Sequence, residues 1–365
     1  MTPPTLALRR LANQHLTTPH FREPSRIVYD LGAVQSQDYA AAKWGVGQRT
    51  VGITDAIVEQ AFADGSILRT HVMRPTWHFV TPSDIRWMLS LTAPRVHAAN
   101  AYRYRELELN EAVFRRCRSS LMRALQGGRQ LTRTELRQLL QRARIDTTAP
   151  QRLAYLLMHA ELEGVICSGA RRGKQFTYAL LDERVPPASV PQRDEALHDL
   201  TMRYFSTRGP ATPQDFSWWS GLTVADAKRG VEAAGRSLEK TTIGAQTLWS
   251  GAYGRPATSL SPIAHVLPNY DEYFIGFRDR SAILQVVRSS KLDVRGDALS
   301  AHVILIDGQV VGGWKRTLKA KVVVVELNPV VRLTKAQRKA VELAARRYGA
   351  FLELPLEIED AREKR

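Results

Sequence analysis

Two glutamines, Gln35 and Gln37, stand one residue apart in the stretch from Gly32 to Tyr39. On an α-helix their side chains would point in different directions, because two steps rotate the chain by about 200°. In an extended or turn conformation both side chains lie on the same side. A neutral amide donates and accepts hydrogen bonds at once, so a converging pair could hold a water molecule or a polar substrate edge. Taken alone, such a pair of glutamines is far more often solvated surface or a helix cap than a catalytic pair.

Three stretches carry distinctive sequences: residues 32–38 (GAVQSQD), 69–80 (RTHVMRPTWHFV) and 267–280 (LPNYDEYFIGFRDR). In content and order they resemble the AlkZ-like DNA glycosylases. That family is built from tandem winged helices and a C-terminal β-rich domain. Its Gln-x-Gln or Gln-x-Asp motif serves hydrolysis of the N-glycosidic bond of N7-alkylated purines. The middle residue, often apolar in the family, is Ser36 here, and we expect it to point away from the two amides.

The chemistry that this resemblance implies suits neutral side chains. Cleavage of a glycosidic bond passes through an oxocarbenium-like state and usually requires an acid to protonate the leaving group. An N7-alkylated guanine already carries positive charge, so its departure requires no acid. We therefore predict that Gln35 and Gln37 are catalytic and orient the attacking water, with Asp38 as the alternative, charged stabiliser. The resemblance also implies bulky adducts and interstrand crosslinks as substrates, in DNA repair or in self-resistance to a genotoxin.

A winged-helix transcriptional regulator, or a structural DNA-binding protein without chemistry, is the competing hypothesis, because fold does not fix function. The sequence contains no Walker loop, no GxSxG, no HExxH and no zinc-deaminase motif, which narrows the classes of enzyme. A regulator has no need to bring two glutamines together in a basic cleft, and it should prefer one DNA sequence. The geometry around the glutamines therefore distinguishes the two hypotheses.

Composition bounds the remaining possibilities. A chain of 365 residues with 44% hydrophobic residues is long enough for several small domains. No apolar run reaches membrane-spanning length, and the N-terminus lacks the pattern of a signal peptide. The two cysteines, Cys117 and Cys167, form no CxxC motif or Cys/His cluster, so neither a disulfide framework nor a zinc site is expected. We predict a cytoplasmic monomer without metal or cofactor.

The charge of the chain indicates a polyanionic partner. Its net charge is +16 and its pI is about 10.1, which favours nucleic acid, most simply double-stranded DNA with alkylated purines. The excess is +3 in residues 1–100, +8 in 101–180, 0 in 181–258 and +5 in 259–365. Half of the net positive charge, +8 of +16, thus falls in one short region, where phosphate contacts are expected first.

The order of predicted elements indicates an α+β fold. We predict three winged-helix modules, residues 1–100 with the Gln-x-Gln motif, 101–185 with a basic wing and 192–258, followed by a β-rich, barrel-like domain at 259–365. The proline-rich stretch at 185–191 predicts a stiff, extended linker between the second and third modules.

In the first module, apolar residues at helical spacing are followed by a predicted hairpin with strands at 68–74 and 76–80. His71 and His78 lie in this hairpin, and we favour a structural role for them over a catalytic one. In the second module, Thr132 begins a helix with the capping-box spacing.

The predicted wing of the second module lies between strands at 164–168 and 175–180. Arg171, Arg172 and Lys174 stand in its loop, and we predict that they bind DNA, since long cationic side chains on a protruding loop reach phosphates or a groove. A solvated basic loop is the alternative.

In the last third, Asp307-Gly308 predicts a hairpin turn between strands at 302–306 and 309–317. Lys315 and Arg316 follow Trp314 in the second strand and are the second group of predicted DNA-binding residues. The alternative is that they lie on the solvent-exposed face of a sheet without binding DNA.

A further strand is predicted at 319–327, then a helix at 335–348 and a strand at 351–358. Upstream of them, Asp271 and Glu272 form a carboxylate pair. We expect the pair to anchor Arg278 or Arg280 rather than to act as an acid and base.

Overall fold

A computed structural model of the chain describes residues 2–251, 262–287 and 302–360, and these residues form an α+β fold. The helices are α1 Pro3–Asn13, α2 Pro24–Leu31, α3 Tyr39–Gly47, α4 Asp55–Asp64, α5 Pro82–Glu106, α6 Glu111–Leu125, α7 Arg133–Arg142, α8 Pro150–Leu162, α9 Leu181–Arg184, α10 Arg193–Arg208, α11 Pro213–Ser220, α12 Val224–Ala234, α13 Glu272–Ile275 and α14 Lys335–Leu352. The strands are β1 Val34–Gln35, β2 Leu68–His71, β3 Trp77–Val80, β4 Leu131–Thr132, β5 Ile166–Ser168, β6 Thr177–Leu180, β7 Leu238–Ile243, β8 Gln246–Gly251, β9 Ala264–Leu267, β10 Val303–Ile306, β11 Gln309–Leu318, β12 Val323–Pro329 and β13 Leu356–Asp360. None of the described helices is both long and apolar enough to cross a membrane.

The chain divides into two compact units. Unit 1 consists of Met1–Glu59, His198–Trp219 and Val224–Arg365, and unit 2 of Gln60–Leu197 and Ser220–Thr223. Each unit has an apolar core of its own.

In unit 2, strands β2 and β3 form the predicted antiparallel hairpin, with Leu68 opposite Val80 and His71 opposite Trp77. His71 is buried and its Nδ1 bonds to the carboxylate of Glu161, which is also buried. This pairing inside the core supports a structural role for His71.

The capping box at the start of α7 is confirmed: the Thr132 hydroxyl accepts the N–H of Glu135, and the Glu135 carboxylate accepts the N–H of Thr132. Helices α6, α7 and α8 pack over strands β4 to β6, whose spatial order is β4-β6-β5. Their apolar faces supply the core of unit 2, which includes Leu121, Leu125, Leu136, Leu140, Leu153, Leu156 and Leu157.

In unit 1, the last five strands form one sheet in the order β13-β12-β11-β10-β9. Only β12 and β13 pair in parallel. Among the described residues this sheet is open, with β13 and β9 at its edges, and the expected barrel-like closure is not seen. Asp307 and Gly308 have φ angles of +50° and +77°, as the predicted Asp-Gly hairpin turn requires. The last strand starts at Leu356 rather than 351, because α14 continues as far as Leu352.

Candidate active site

The first predicted catalytic residue, Gln35, lies at the end of β1. Its backbone N–H donates to Oε1 of Glu272 at 2.7 Å. The other oxygen, Oε2, accepts from Arg208 Nη2 at 2.6 Å and from Trp219 Nε1 at 2.9 Å. The Glu272 side chain is 1% exposed, so all of these bonds lie in the interior of unit 1. A buried carboxylate with three donors therefore holds the strand that carries Gln35.

Arg208 holds the chain immediately before this strand. Its Nη1 donates to the carbonyl of Leu31 at 2.8 Å and its Nη2 to that of Ala33 at 3.2 Å. Between them, Gly32 ends α2 with φ at +77°, a conformation that side chains with a Cβ rarely adopt. The turn into the glutamine stretch is thus set by one glycine and one buried guanidinium.

The neighbouring carboxylate, Asp271, has a different arginine partner. Both of its oxygens accept from Arg49, at 2.7 and 2.8 Å, and both side chains are almost fully buried. The expectation that Asp271 and Glu272 anchor Arg278 or Arg280 was wrong in its partners: they anchor Arg49 and Arg208. Each carboxylate forms a buried ion pair with an arginine that is distant in sequence. Both carboxylates therefore have a structural role.

The three residues of the glutamine motif differ in burial. Gln35 is 6% exposed and Ser36 is fully buried, whereas Gln37 is exposed. Gln37 makes no side-chain hydrogen bond with the residues that the structure describes. Ser36 and Gln35 are both buried, so the expectation that Ser36 points away from the two amides stays a prediction. Convergence of the two amides on one water remains a prediction.

Asp38 begins α3, where its Oδ1 accepts the N–H of Ala41 at 3.0 Å. Its Oδ2 lies 3.8 Å from Nη2 of Arg316, whose Nη1 donates to the Tyr348 hydroxyl at 2.9 Å. The structure thus brings one of the predicted DNA-binding arginines next to the glutamine motif and holds it there. Lys315, its neighbour on β11, is exposed to solvent.

His302, which precedes β10, is a member of this site that the sequence analysis missed. Its Nδ1 accepts the backbone N–H of Asn269 at 2.7 Å, and its ring stacks on Trp314 with centroids 4.9 Å apart. Burial, reinforced by the charge of Arg316 and opposed by Asp38, lowers the pKa of His302 to about 4. The ring is therefore neutral at pH 7, and since Nδ1 accepts, its proton lies on Nε2.

A buried acceptor accompanies this histidine. The side-chain Oδ1 of Asn269 is buried and has no hydrogen-bond partner among the described residues. Buried polar atoms without partners are rare in native proteins, and one beside a predicted site is available to a substrate or water.

In unit 2, the predicted wing is a hairpin of β5 and β6 whose tip bridges Arg172 and Gln175. The guanidinium of Arg171 lies 5.4 Å from the centroid of the Phe176 ring. Arg172 donates from Nη1 to Glu135 at 2.8 Å, while Lys174 at the tip is exposed and has no ion pair with any residue that the structure describes.

The partner of Arg172 is the carboxylate of the α7 capping box. The backbone N–H of Thr132, followed by Arg172, lowers the pKa of Glu135 to about 2. The carboxylate is thus ionised at neutral pH and ties the base of the wing tip to the start of α7.

The comparisons with known proteins agree with each other. The family model described as DNA glycosylase AlkZ-like matches residues 28–351. A curated relative from Streptomyces sahachiroi, named interstrand DNA cross-link repair glycosylase, is 27% identical and covers 96% of this chain and 97% of its own. The solved structure of the Streptomyces sahachiroi DNA glycosylase AlkZ superposes with a TM-score of 0.81 at 23% identity, over 98% of this chain and 99% of that one.

Proposed function

The chain belongs to the AlkZ-like DNA glycosylase family and is a DNA glycosylase, and on that premise we propose that it removes N7-alkylated purines from double-stranded DNA through Gln35 and Gln37. The observation that carries this proposal is the hydrogen bond from the backbone N–H of Gln35 to the buried carboxylate of Glu272. A glutamine without a function would not require its backbone to be fixed by a buried network. Here Glu272 bonds the backbone of Gln35 and is itself bonded by Arg208 and Trp219. Preorganisation of this kind is what a water-orienting group requires.

In the proposed reaction, the N7-alkylated base leaves as a neutral purine and takes the bonding electrons of the glycosidic bond. The two amides hold the attacking water by accepting from its O–H groups, the water oxygen bonds to the anomeric carbon, and the proton released from the water passes to bulk solvent. Exposed Gln37 meets the nucleotide first, and the largely buried Gln35 is the fixed member of the pair. Because the base is already cationic, no general acid has to protonate it.

The neighbours of the motif suit this chemistry. His302 is neutral, and its Nε2–H makes no hydrogen bond with the residues that the structure describes, so it can donate to a sugar or phosphate oxygen. Arg316, oriented by Asp38 and Tyr348, supplies positive charge toward a DNA phosphate. Asp38 is already partly neutralised by Arg316, so we give it a supporting role.

For the remainder of the chain we propose that 1–100, 101–185 and 192–258 are three winged-helix modules that present the DNA to the site. The strongest support lies in the second, where helices α6 to α8 and the β5–β6 hairpin occur in winged-helix order. Its tip carries Lys174, exposed to solvent, for phosphate contact.

The test is excision from a duplex oligonucleotide that contains one N7-methylguanine, with heat or alkali revealing abasic sites. We expect strand cleavage with the wild-type protein and a loss of at least about 100-fold in single-turnover rate for Gln37→Ala and Gln35→Ala. DNA affinity should change little. The exposed Gln126, at the end of α6, provides a matched glutamine-to-alanine control. Unaltered rates in both motif variants would overturn the proposal.

We further propose that bulky adducts and interstrand crosslinks are substrates. The support is the name of the Streptomyces sahachiroi relative and the exposure of Gln37, which fits a site open to large lesions. A duplex crosslinked through two guanine N7 atoms should be unhooked into separate strands on a denaturing gel. Excision of N7-methylguanine without unhooking would overturn this extension and leave the base chemistry standing.

A further inference from the structure

Three potential metal ligands meet in unit 2. His97 on α5 lies beside His159 on α8 and Glu163, which follows α8 by one residue. One ligand atom from each lies within 4.8 Å of the others, and this is the one such group of three among the described residues. The Nε2 of His97 is 3.0 Å from Oε1 of Glu163. Donor atoms around a tetrahedral zinc ion lie about 3.3 Å apart, given bonds of about 2.0–2.1 Å.

The close contact of His97 with Glu163 places a ring nitrogen directly against a carboxylate oxygen. The Nε2 of His97 is buried and has no hydrogen-bond partner among the described residues, although the Glu163 oxygen is within reach. A ring nitrogen and a carboxylate oxygen this close together are both zinc ligands and can bind one ion.

Both rings are held from behind. Nδ1 of His97 lies 3.0 Å from the hydroxyl of Tyr104, the outer-shell contact that leaves Nε2 to face a metal. His159 stacks on Phe114 with ring centroids 3.7 Å apart and planes 13° from parallel.

We propose that His97, His159 and Glu163 form a binding site for Zn²⁺, with a fourth position open to water. Two imidazoles and one carboxylate are a donor set that zinc uses in proteins, and first-row ions such as Co²⁺ can replace it. The ion would clamp α5 to α8 and so stabilise unit 2. No zinc site is predicted from the sequence because it has no Cys/His cluster; of the three ligands here, His159 and Glu163 stand four residues apart at the end of α8, and His97 comes from α5.

One neighbour opposes the ion. The positive charge of Arg118 acts on His159 and weakens the attraction of the site for a cation. The Glu163 carboxylate offsets this repulsion, which makes Glu163 the residue whose charge the site requires.

The experiment is calorimetric titration of the full-length, metal-stripped and tag-free protein with ZnCl₂. We expect one ion per chain, and thermal unfolding at saturating zinc raised by about 5 °C. Co²⁺ in place of zinc should give the visible absorption of a four-coordinate site. Each of His97→Ala, His159→Ala and Glu163→Gln should weaken binding by about 100-fold or more, and Tyr104→Phe by about 10-fold.

The matched control is His198→Ala. His198 is another histidine with an acidic neighbour, Asp199, at 3.5 Å, but these two belong to no group of three ligands in the described part of the chain. This variant should bind zinc as the wild type does. Glu163→Gln keeps the size of the side chain, and circular dichroism checks that it is folded. Wild-type affinity weaker than about 100 μM, or equal affinity in the wild type and Glu163→Gln, would overturn the site.

Discussion

The carboxylate of Glu272 accepts the backbone N–H of Gln35 at 2.7 Å, although 237 residues separate them in the chain. The same carboxylate neutralises Arg208 in the interior of unit 1. The geometry of the glutamine motif and the stability of unit 1 therefore depend on one buried group.

Glu272→Gln should destabilise the protein strongly. The substitution leaves the buried Arg208 without its counter-charge, which costs about 3–5 kcal/mol in the free energy of unfolding. Urea unfolding measures the loss. The control is Glu239→Gln, which removes an exposed ion pair with Arg9 and should cost about 1 kcal/mol or less. Equal effects of the two substitutions would show that the buried network is not needed.

Asp38→Asn should separate the role of Asp38 as the helix cap of α3 from a role of its charge in catalysis. Asparagine caps a helix about as well as aspartate, so stability should change by less than about 0.5 kcal/mol, whereas Asp38→Ala should cost about 1 kcal/mol. Because Arg316 already pairs with the carboxylate, we expect excision to slow by less than about tenfold in Asp38→Asn. A hundredfold slower rate in a fully folded Asp38→Asn would instead make Asp38 the charged stabiliser.

Acid should destabilise unit 1 through His265 and His302. Burial, with Arg347 and Arg49 nearby, lowers the pKa of His265 to about 3, and the pKa of His302 is about 4. In the unfolded chain both titrate near 6.5. Below that pH the unfolded state binds protons that the folded state does not, so their contribution to stability is complete above pH 6.5 and is lost as the pH falls toward 3 to 4.

The measurement is the free energy of unfolding in urea between pH 7.5 and pH 4.5. It should fall with decreasing pH, and His265→Gln should reduce the slope relative to the wild type. His20→Gln, which replaces an exposed histidine, serves as the control and should leave the slope unchanged. A wild-type slope that His265→Gln does not alter would contradict the assignment.

Lys174→Ala should weaken DNA binding regardless of sequence. Loss of one phosphate contact should make the slope of log K against log salt shallower by about 0.9. Arg172 is partly neutralised by Glu135, so Arg172→Ala should have the smaller effect. Fluorescence anisotropy on two unrelated duplexes over a range of salt tests both, with the exposed Lys339 on α14 substituted as the control. Loss confined to one of the duplexes would indicate base reading instead.

Local sequence determined much of the structure and of the candidate site. The Thr132–Glu135 capping box, the β2–β3 hairpin and the Asp307-Gly308 turn follow from backbone preferences and hydrogen bonds between residues close in the chain, so their spacing alone predicts them. The Gln-x-Gln motif, Gln35 and Gln37, can likewise be recognised from the sequence alone. The buried network behind it could not be predicted in this way, because Glu272, which bonds Gln35, and Arg208 and Trp219, which bond Glu272, are all more than 150 residues away from Gln35.

Tertiary structure alone decided which arginine meets which carboxylate, since any of many arginines could neutralise Asp271 or Glu272 and only packing selects Arg49 and Arg208. It also decided the place of His302. Counted from the turn, His302 would face Gly313, but a bulge between Ile304 and Leu305 shifts the register by one residue, so that His302 meets Trp314. A shift of one residue in a strand reverses which face each side chain occupies, and no local sequence pattern predicts where such a bulge falls.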